Sequence, residues 1–319
     1  MIRTHQSSIR LCLLAVVSLS LLALADKPKL QSVTLSGTSG LTESSGLAFS
    51  SLDANCVWTH NDSGDRARLF CFHTQTGALT GSCDLLSADS VDWESMTSVA
   101  ATSDRATKLI VADSGDNDAV RANITLYRFD EPAPHKQTRL KPSEYETLRV
   151  RFPDGPVDCE AIWHDPTERC VLLLAKGRLP LAAVYRVADE DWGTSQSDPQ
   201  GDKRAGQRIP NAAQENSRAT KYVVTATHIA TLALPMATGA DRDPASGDVW
   251  IASYFQAFCF RRGQHANLVE QLGAVPLAIE MPRLRQIEAI AVDRESNVWV
   301  TSEGTPAILQ RLATGKLHR

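Results

Sequence analysis

The chain has 319 residues, 43% of them apolar and 22% charged, with a formal net charge of −4. That is enough apolar content for a sizeable core, in one large domain or two small ones. The acidic balance gives none of the basic face that a nucleic-acid partner would require.

Residues 1–25 carry Arg3 and Arg10, then the apolar run Leu11 to Ala25, then the small-x-small triplet Ala23-Leu24-Ala25 before Asp26. This order predicts a secretory signal peptide. The run is short for a bilayer span of about 20 residues. An uncleaved anchor is the other reading. Removal would leave a mature chain of 26–319 with a charge of about −6, since the segment holds two arginines and no acid. No later segment is apolar enough to span a membrane. The expectation is a secreted or periplasmic monomer.

Six cysteines follow the signal: Cys56, Cys71, Cys83, Cys159, Cys170 and Cys259. Export permits disulfides. Cys56–Cys71 and Cys159–Cys170 flank short hairpins and are possible pairs; buried free thiols are the alternative. No C-x-x-C occurs, so a zinc cluster or redox motif is not expected.

One phrase then recurs: an acid with small or apolar residues, a gap, a β-rich run ending in a polar turn, and another β-rich run. Its copies begin at Glu43, Glu94, Glu160, Asp241 and Glu288. The paired runs are 56–65 with 69–72, 109–118 with 124–129, 170–177 with 183–187, 249–254 with 257–262, and 298–304 with 307–312. Their Val, Ile, Leu and aromatic content, punctuated by Gly, Asp, Asn and Ser, predicts hairpins rather than helices. A fourth β-like run follows in most copies, at 78–86, 145–152, 222–234 and 267–273.

Four antiparallel strands per copy make a propeller blade. The fold class is therefore all-β: a β-propeller of five four-stranded blades in a single domain. Six blades is the alternative, because the 160-to-241 interval could hold another. The last copy lacks a fourth strand, and residues 29–37 supply a spare one that would close the ring. Residues 188–220 are polar and read as a long insertion. A shorter insertion covers 132–143. Both fall between strands three and four of a blade.

Up-and-down connectivity puts the start of strand one and the turn between strands two and three on one face. Glu43, Glu94, Glu160, Asp241 and Glu288 should then ring the channel mouth. The turns bearing His60, Asn61, Asp62, Asp113, Asp116, Asn117, Lys176, Ser253, Tyr254 and Glu303 should surround them. Two carboxylates about 5 Å apart repel by roughly 3 kcal/mol at an effective dielectric near 20. A ring of them needs protonation, basic partners or a cation. Calcium, with six to eight oxygen ligands in flexible geometry, suits such a ring. The alternative is that each acid pairs with backbone amides or an arginine and keeps the blades in register. Asp241 is the weakest member, since Arg242 follows it.

The turns 61–65 and 113–118 are rich in acids but lack the spacing and closing Glu of an EF-hand. His60 is the one histidine in these turns, and either it or Glu43 would be the base if the mouth were catalytic. No G-x-S-x-G surrounds Ser44 or Ser45, so a serine-hydrolase triad is unsupported. Trp58, Trp163, Trp250 and Trp299 read as blade-packing core rather than a sugar-stacking platform. Asn61 and Asn123 open glycosylation-type triplets, a pattern common by chance.

The segments 43–48, 59–65, 92–95, 112–117, 127–132, 153–162 and 286–292 resemble those of a group of uncharacterised exported bacterial β-propellers. The similarity covers most of residues 40–310. More distantly, the plan is similar to gluconolactonase-like and apyrase-like propellers, which hold calcium in the central channel. That resemblance implies Glu43, Glu94, Glu160 and Glu288 as ligands, and matches no catalytic motif of either group. Two functions follow as expectations. One is a module binding a small molecule, glycan or protein. The other is a calcium-dependent hydrolase of a phosphoester or lactone at the same mouth.

Overall fold

The computed structural model describes residues 30–101, 106–177, 179–192 and 223–314. Residues 1–31 form one unit and 32–319 a second, and everything below concerns the second. The signal-type segment and most of the 188–220 insertion lie outside the described residues. Among those described, no helix is long and apolar enough to cross a membrane.

The chain forms five β-sheets arranged as blades. The first strand, β1 (Ser32–Thr34), belongs to the last blade. Blade one follows as β2 (Ser44–Phe49), β3 (Cys56–Asn61), β4 (Arg68–His73) and β5 (Leu79–Leu85). Blade two is β6 (Trp93–Val99), β7 (Lys108–Asp113), β8 (Ile124–Asp130) and β10 (Tyr145–Arg151). Between its last two strands, β9 (Gln137–Leu140) crosses over to pair in parallel with β5. Blade three is β11 (Cys159–Asp165), β12 (Cys170–Lys176), β13 (Ala182–Ala188) and β15 (Thr227–Leu232). Just ahead of β15, β14 (Val223–Thr225) pairs in parallel with β10 of blade two. Blade four is β16 (Ala237–Arg242), β17 (Val249–Ser253), β18 (Gln256–Phe260) and β19 (Leu277–Glu280). Blade five is β20 (Ile287–Val292), β21 (Val298–Ser302) and β22 (Ile308–Arg311), completed by β1.

The innermost strands β2, β6, β11, β16 and β20 touch one another in cyclic order, β20 returning to β2. The ring is closed by the N-terminal strand, with Ser32, Val33 and Thr34 paired antiparallel to Gln310, Leu309 and Ile308. Five blades is thus the count.

Apolar packing sits in five seams, one between each pair of neighbouring blades. The period of two explains how one strand serves two seams. In β12, Val171, Leu173 and Ala175 face blade two, while Cys170, Leu172 and Leu174 face blade four. Middle strands are therefore covered on both sides and carry apolar residues on both faces, as in the CVLLLA run of β12. Trp58, Trp163, Trp250 and Trp299 are all buried in these seams.

Two expected elements differ. Residues 267–273 are not a strand but a short helix, α1 (Leu268–Gly273), whose N-cap Asn267 accepts from Glu270 N–H. The fourth strand of blade four is β19 instead. The expected run 222–234 divides at Ala226, its first part adding to blade two and its second completing blade three. The six described cysteines are free and buried. Cys159 and Cys170 cannot pair, because the register puts Cys159 opposite Ala175 and Cys170 opposite Asp165. They stand at opposite ends of the hairpin, roughly 17 Å apart at about 3.3 Å per residue.

Candidate metal centre

Each innermost strand carries a β-bulge near its start, where one residue is left out of the ladder and re-aimed. The bulges fall at Gly46, Glu94, Glu160, Thr238 and Glu288. These five are the true equivalents around the channel. Three are the expected glutamates.

The turn between strands two and three returns to the same end in four of the blades. Asp62 N–H donates to Glu43 O, Ser114 N–H to Asp92 O, Lys176 N–H to Asp158 O and Glu303 N–H to Gln286 O, at 2.8 to 3.1 Å. Hydroxyls stitch the neighbouring inner strands together. Ser45 Oγ donates to Glu94 O at 2.6 Å, Thr238 Oγ1 donates to Ile287 O at 2.8 Å, and Ile162 N–H donates to Ser95 Oγ at 3.1 Å.

Two acidic triplets meet at Glu94. Asp62, Asp92 and Glu94 present oxygens within 4.8 Å of one another, and so do Glu94, Asp158 and Glu160. The acidic clusters have the geometry to hold a metal ion. Asp92 and Asp158 each stand two residues before a bulge glutamate and were not singled out from the sequence. The recurring Asp-x-Glu at 92–94 and 158–160 is the signal that could have found them.

Glu94 is 7% exposed, and no hydrogen bond or ion pair to its carboxylate exists among the described residues. Burial raises its pKa well above the ordinary glutamate value, and the charges of Glu160, Asp62, Asp92 and Asp158 raise it further. Burial and then Asp92 push Asp62 up to about 7, and one of its oxygens is buried without a partner. Burial also raises Asp92. Glu160 is pushed up to about 8 by burial, against the pull of Lys176. Lys176 contacts the Glu160 carboxylate and lies 3.4 Å from Asp158. Burial works against its charge, yet Glu160 and Asp158 hold its pKa above the usual lysine value. Burial, then Glu303, pushes Glu288 up to about 7.

Gly115 admits this crowding. A Cβ there would lie 2.3 Å from Asp92 Oδ2 and 2.5 Å from Glu94 Oε1. The loop around it is held by other acids of the same turn. Asp113 accepts from Asp92 N–H at 3.0 Å and pairs with Arg121 at 2.9 Å. Asp116 accepts from Val120 N–H and Arg121 N–H. Asp113 and Asp116 thus shape the mouth and spend their oxygens doing so, while Asn117 is exposed beside them.

The remaining expected residues lie elsewhere. Glu43 precedes the blade-one bulge by three residues and is exposed. It acts on the cluster at a distance, its charge raising Asp62 and Glu303. Asp241 follows the blade-four bulge by three residues, and its oxygens accept from Arg242 N–H and Val292 N–H at 2.8 Å. Thr238, not Asp241, occupies the place equivalent to Glu94. Asn61 is buried and fully used: its oxygen accepts from Thr42 and Glu43 N–H, and its nitrogen donates to Gly40 O and Asp65. That nitrogen has no room for a glycan. Glu303 accepts from Gln286 at 3.1 Å on the rim. His60 is fully buried, its Nδ1 donating to Asn61 O at 2.9 Å and its Nε2 lacking a partner.

No protein-family model matches the chain, and no curated protein does. Among solved structures, it is similar to a glucose dehydrogenase at 11% identity, covering 89% of this chain and 99% of that one with a TM-score of 0.46. It is also similar to the extracellular domain of a hybrid two-component system from B. thetaiotaomicron, at 13% identity and a TM-score of 0.38. That match covers 88% of this chain and 28% of the other.

Proposed function

We propose that this is an exported propeller that holds a calcium ion at one mouth of its channel and binds a ligand there. The observation that carries the reading is Glu94, a buried carboxylate that makes no hydrogen bond or ion pair of its own among the described residues, shared by two acidic triplets. Asp62, Asp92, Glu94, Asp158 and Glu160 would supply the oxygens. Calcium fits better than a softer ion because every donor is a carboxylate and the set is irregular. The extracytoplasmic setting rests on the apolar run 11–25.

Binding is favoured over hydrolysis by the surroundings. Val91, Val120, Leu179, Phe255 and Met236 are exposed, and all lie on connections at the mouth end of blades two, three and four. An apolar rim beside a charged centre suits recognition of a partner with both characters. Ser44 and Ser45 are buried and hydrogen-bonded, and His60 is enclosed behind Gly46. A calcium-dependent hydrolase of a phosphoester or lactone remains the second reading. Lys176 favours it, as a cation beside the acidic cluster that could meet an anionic substrate.

Elemental analysis of the purified protein, with calcium titration followed by thermal unfolding, tests the reading. Calcium should raise the melting temperature of the wild type and not of Glu94→Gln. No bound divalent ion and no response to chelator would overturn it. Calcium-dependent turnover of an ester that vanishes in folded Glu94→Gln would select the hydrolase reading.

A further inference from the structure

Three donor atoms of different chemistry converge at the end of blade one away from the channel mouth. Asp53 Oδ2 lies 2.8 Å from His135 Nε2, and Cys56 Sγ lies 4.0 Å from the same nitrogen. All three lie within 4.8 Å of one another.

The fold builds this meeting from two separate pieces. Asp53 and Cys56 share the tight turn between β2 and β3, where Cys56 N–H donates to Asp53 O at 3.0 Å. Asn55 N–H donates to Asp53 Oδ1 at 2.9 Å, leaving Oδ2 for the histidine. His135 arrives from 79 residues further along than Cys56. Its segment is seated on β5, with Thr80 Oγ1 donating to Pro134 O at 2.8 Å and Ser82 N–H donating to Lys136 O at 3.0 Å. Gly81 makes that seat possible. A Cβ there would lie 2.6 Å from Pro134 O and 2.7 Å from Lys136 O.

The arrangement is not a nucleophile–base relay. In such a relay the thiol and the carboxylate take opposite nitrogens of the imidazole. Here both face Nε2. Sulfur, imidazole nitrogen and carboxylate oxygen around one point are instead the donors of a borderline-soft divalent ion. In a tetrahedral zinc site such atoms stand about 3.5 Å apart. The observed 2.8 and 4.0 Å lie on either side of that spacing. A small rotation of the exposed imidazole would even them. Cys56 is fully buried, while the side chains of Asp53 and His135 are 28% and 56% exposed. The thiol forms the floor and the open side faces solvent.

We infer that Asp53, Cys56 and His135 form a second metal site, of the zinc class, with its fourth position open to solvent. It is independent of the acidic mouth.

Cobalt is the probe, added to the reduced full-length protein. One equivalent should bind and give a thiolate-to-metal charge-transfer band, competed away by zinc. Cys56→Ser should abolish the band. His135→Ala, at an exposed position, should weaken binding at least about tenfold. Glu94→Gln should leave band and affinity unchanged, which separates this site from the mouth. Absence of a band in the reduced wild type would overturn the inference, as would an unchanged affinity in His135→Ala. A Cys56–Cys71 disulfide in protein recovered from export, seen by alkylation and mass spectrometry, would overturn it too.

Discussion

Gly46 and His60 claim the same space: a Cβ on Gly46 would lie 2.1 Å from His60 Nε2. Gly46 also has φ of +44°, so a side chain there would be strained even with room around it. Glutamates stand at this place in three other blades. Blade one cannot carry one while the imidazole remains. Gly46→Ala should cost about 2–3 kcal/mol in urea unfolding. In a His60→Ala background the same change should cost about 1 kcal/mol, the part due to backbone strain. Equal costs in both backgrounds would show that the contact does not constrain the bulge.

Two sets of groups should give the stability opposite pH trends. Burial holds His60 down to about 4. The unfolded chain takes up this proton as pH falls through about 6.5, and the folded chain does not until about 4. Stability from this group is therefore lost between those limits, by on the order of 3 kcal/mol. His60→Gln should flatten that limb. The carboxylates act the other way. Asp62, Glu160 and Glu288 are raised to about 7 or 8, so the folded state keeps protons that the unfolded chain releases above about 4. Without cation, stability should fall as pH rises to about 8. Calcium favours the ionised forms, so its stabilising effect should grow over the same range. Melting curves with calcium and with chelator, compared across pH, read both limbs. A calcium effect that shrinks as pH rises would contradict the assignment.

Glu131 clips blade two onto blade one. It is 9% exposed and accepts from Ser50 Oγ at 2.5 Å, Trp58 Nε1 at 3.2 Å and Ser51 N–H at 3.0 Å. Glu131→Ala would leave several buried donors without an acceptor. A loss of about 3 kcal/mol is expected by chemical denaturation. A change below about 0.5 kcal/mol would mean that water replaces the carboxylate.

The hairpins were legible because the middle strands are buried on both faces, so Cys170–Lys176 or Val249–Ser253 stands out as a mostly apolar run. The mouth was legible only where an acid and a bulge coincide. Aligning the repeats on their acids placed Glu43 three residues early and Asp241 three residues late, since Gly46 and Thr238 hold the bulges there. Residues 267–273 look like a strand by apolarity alone; Asn267 with Glu270 is the capping pattern that marks the helix. The meeting of His135 with Cys56 leaves no local trace, because it depends on a crossover strand and on the missing side chain of Gly81.

Pairing of β1 with β22 holds the two ends of the propeller side by side. The wheel therefore has no privileged starting wedge. A polypeptide opened at a surface connection between two other blades, and spliced across the present ends, would wind the same five sheets in the same sense. The ring of bulges at Gly46, Glu94, Glu160, Thr238 and Glu288 does not depend on which wedge comes first.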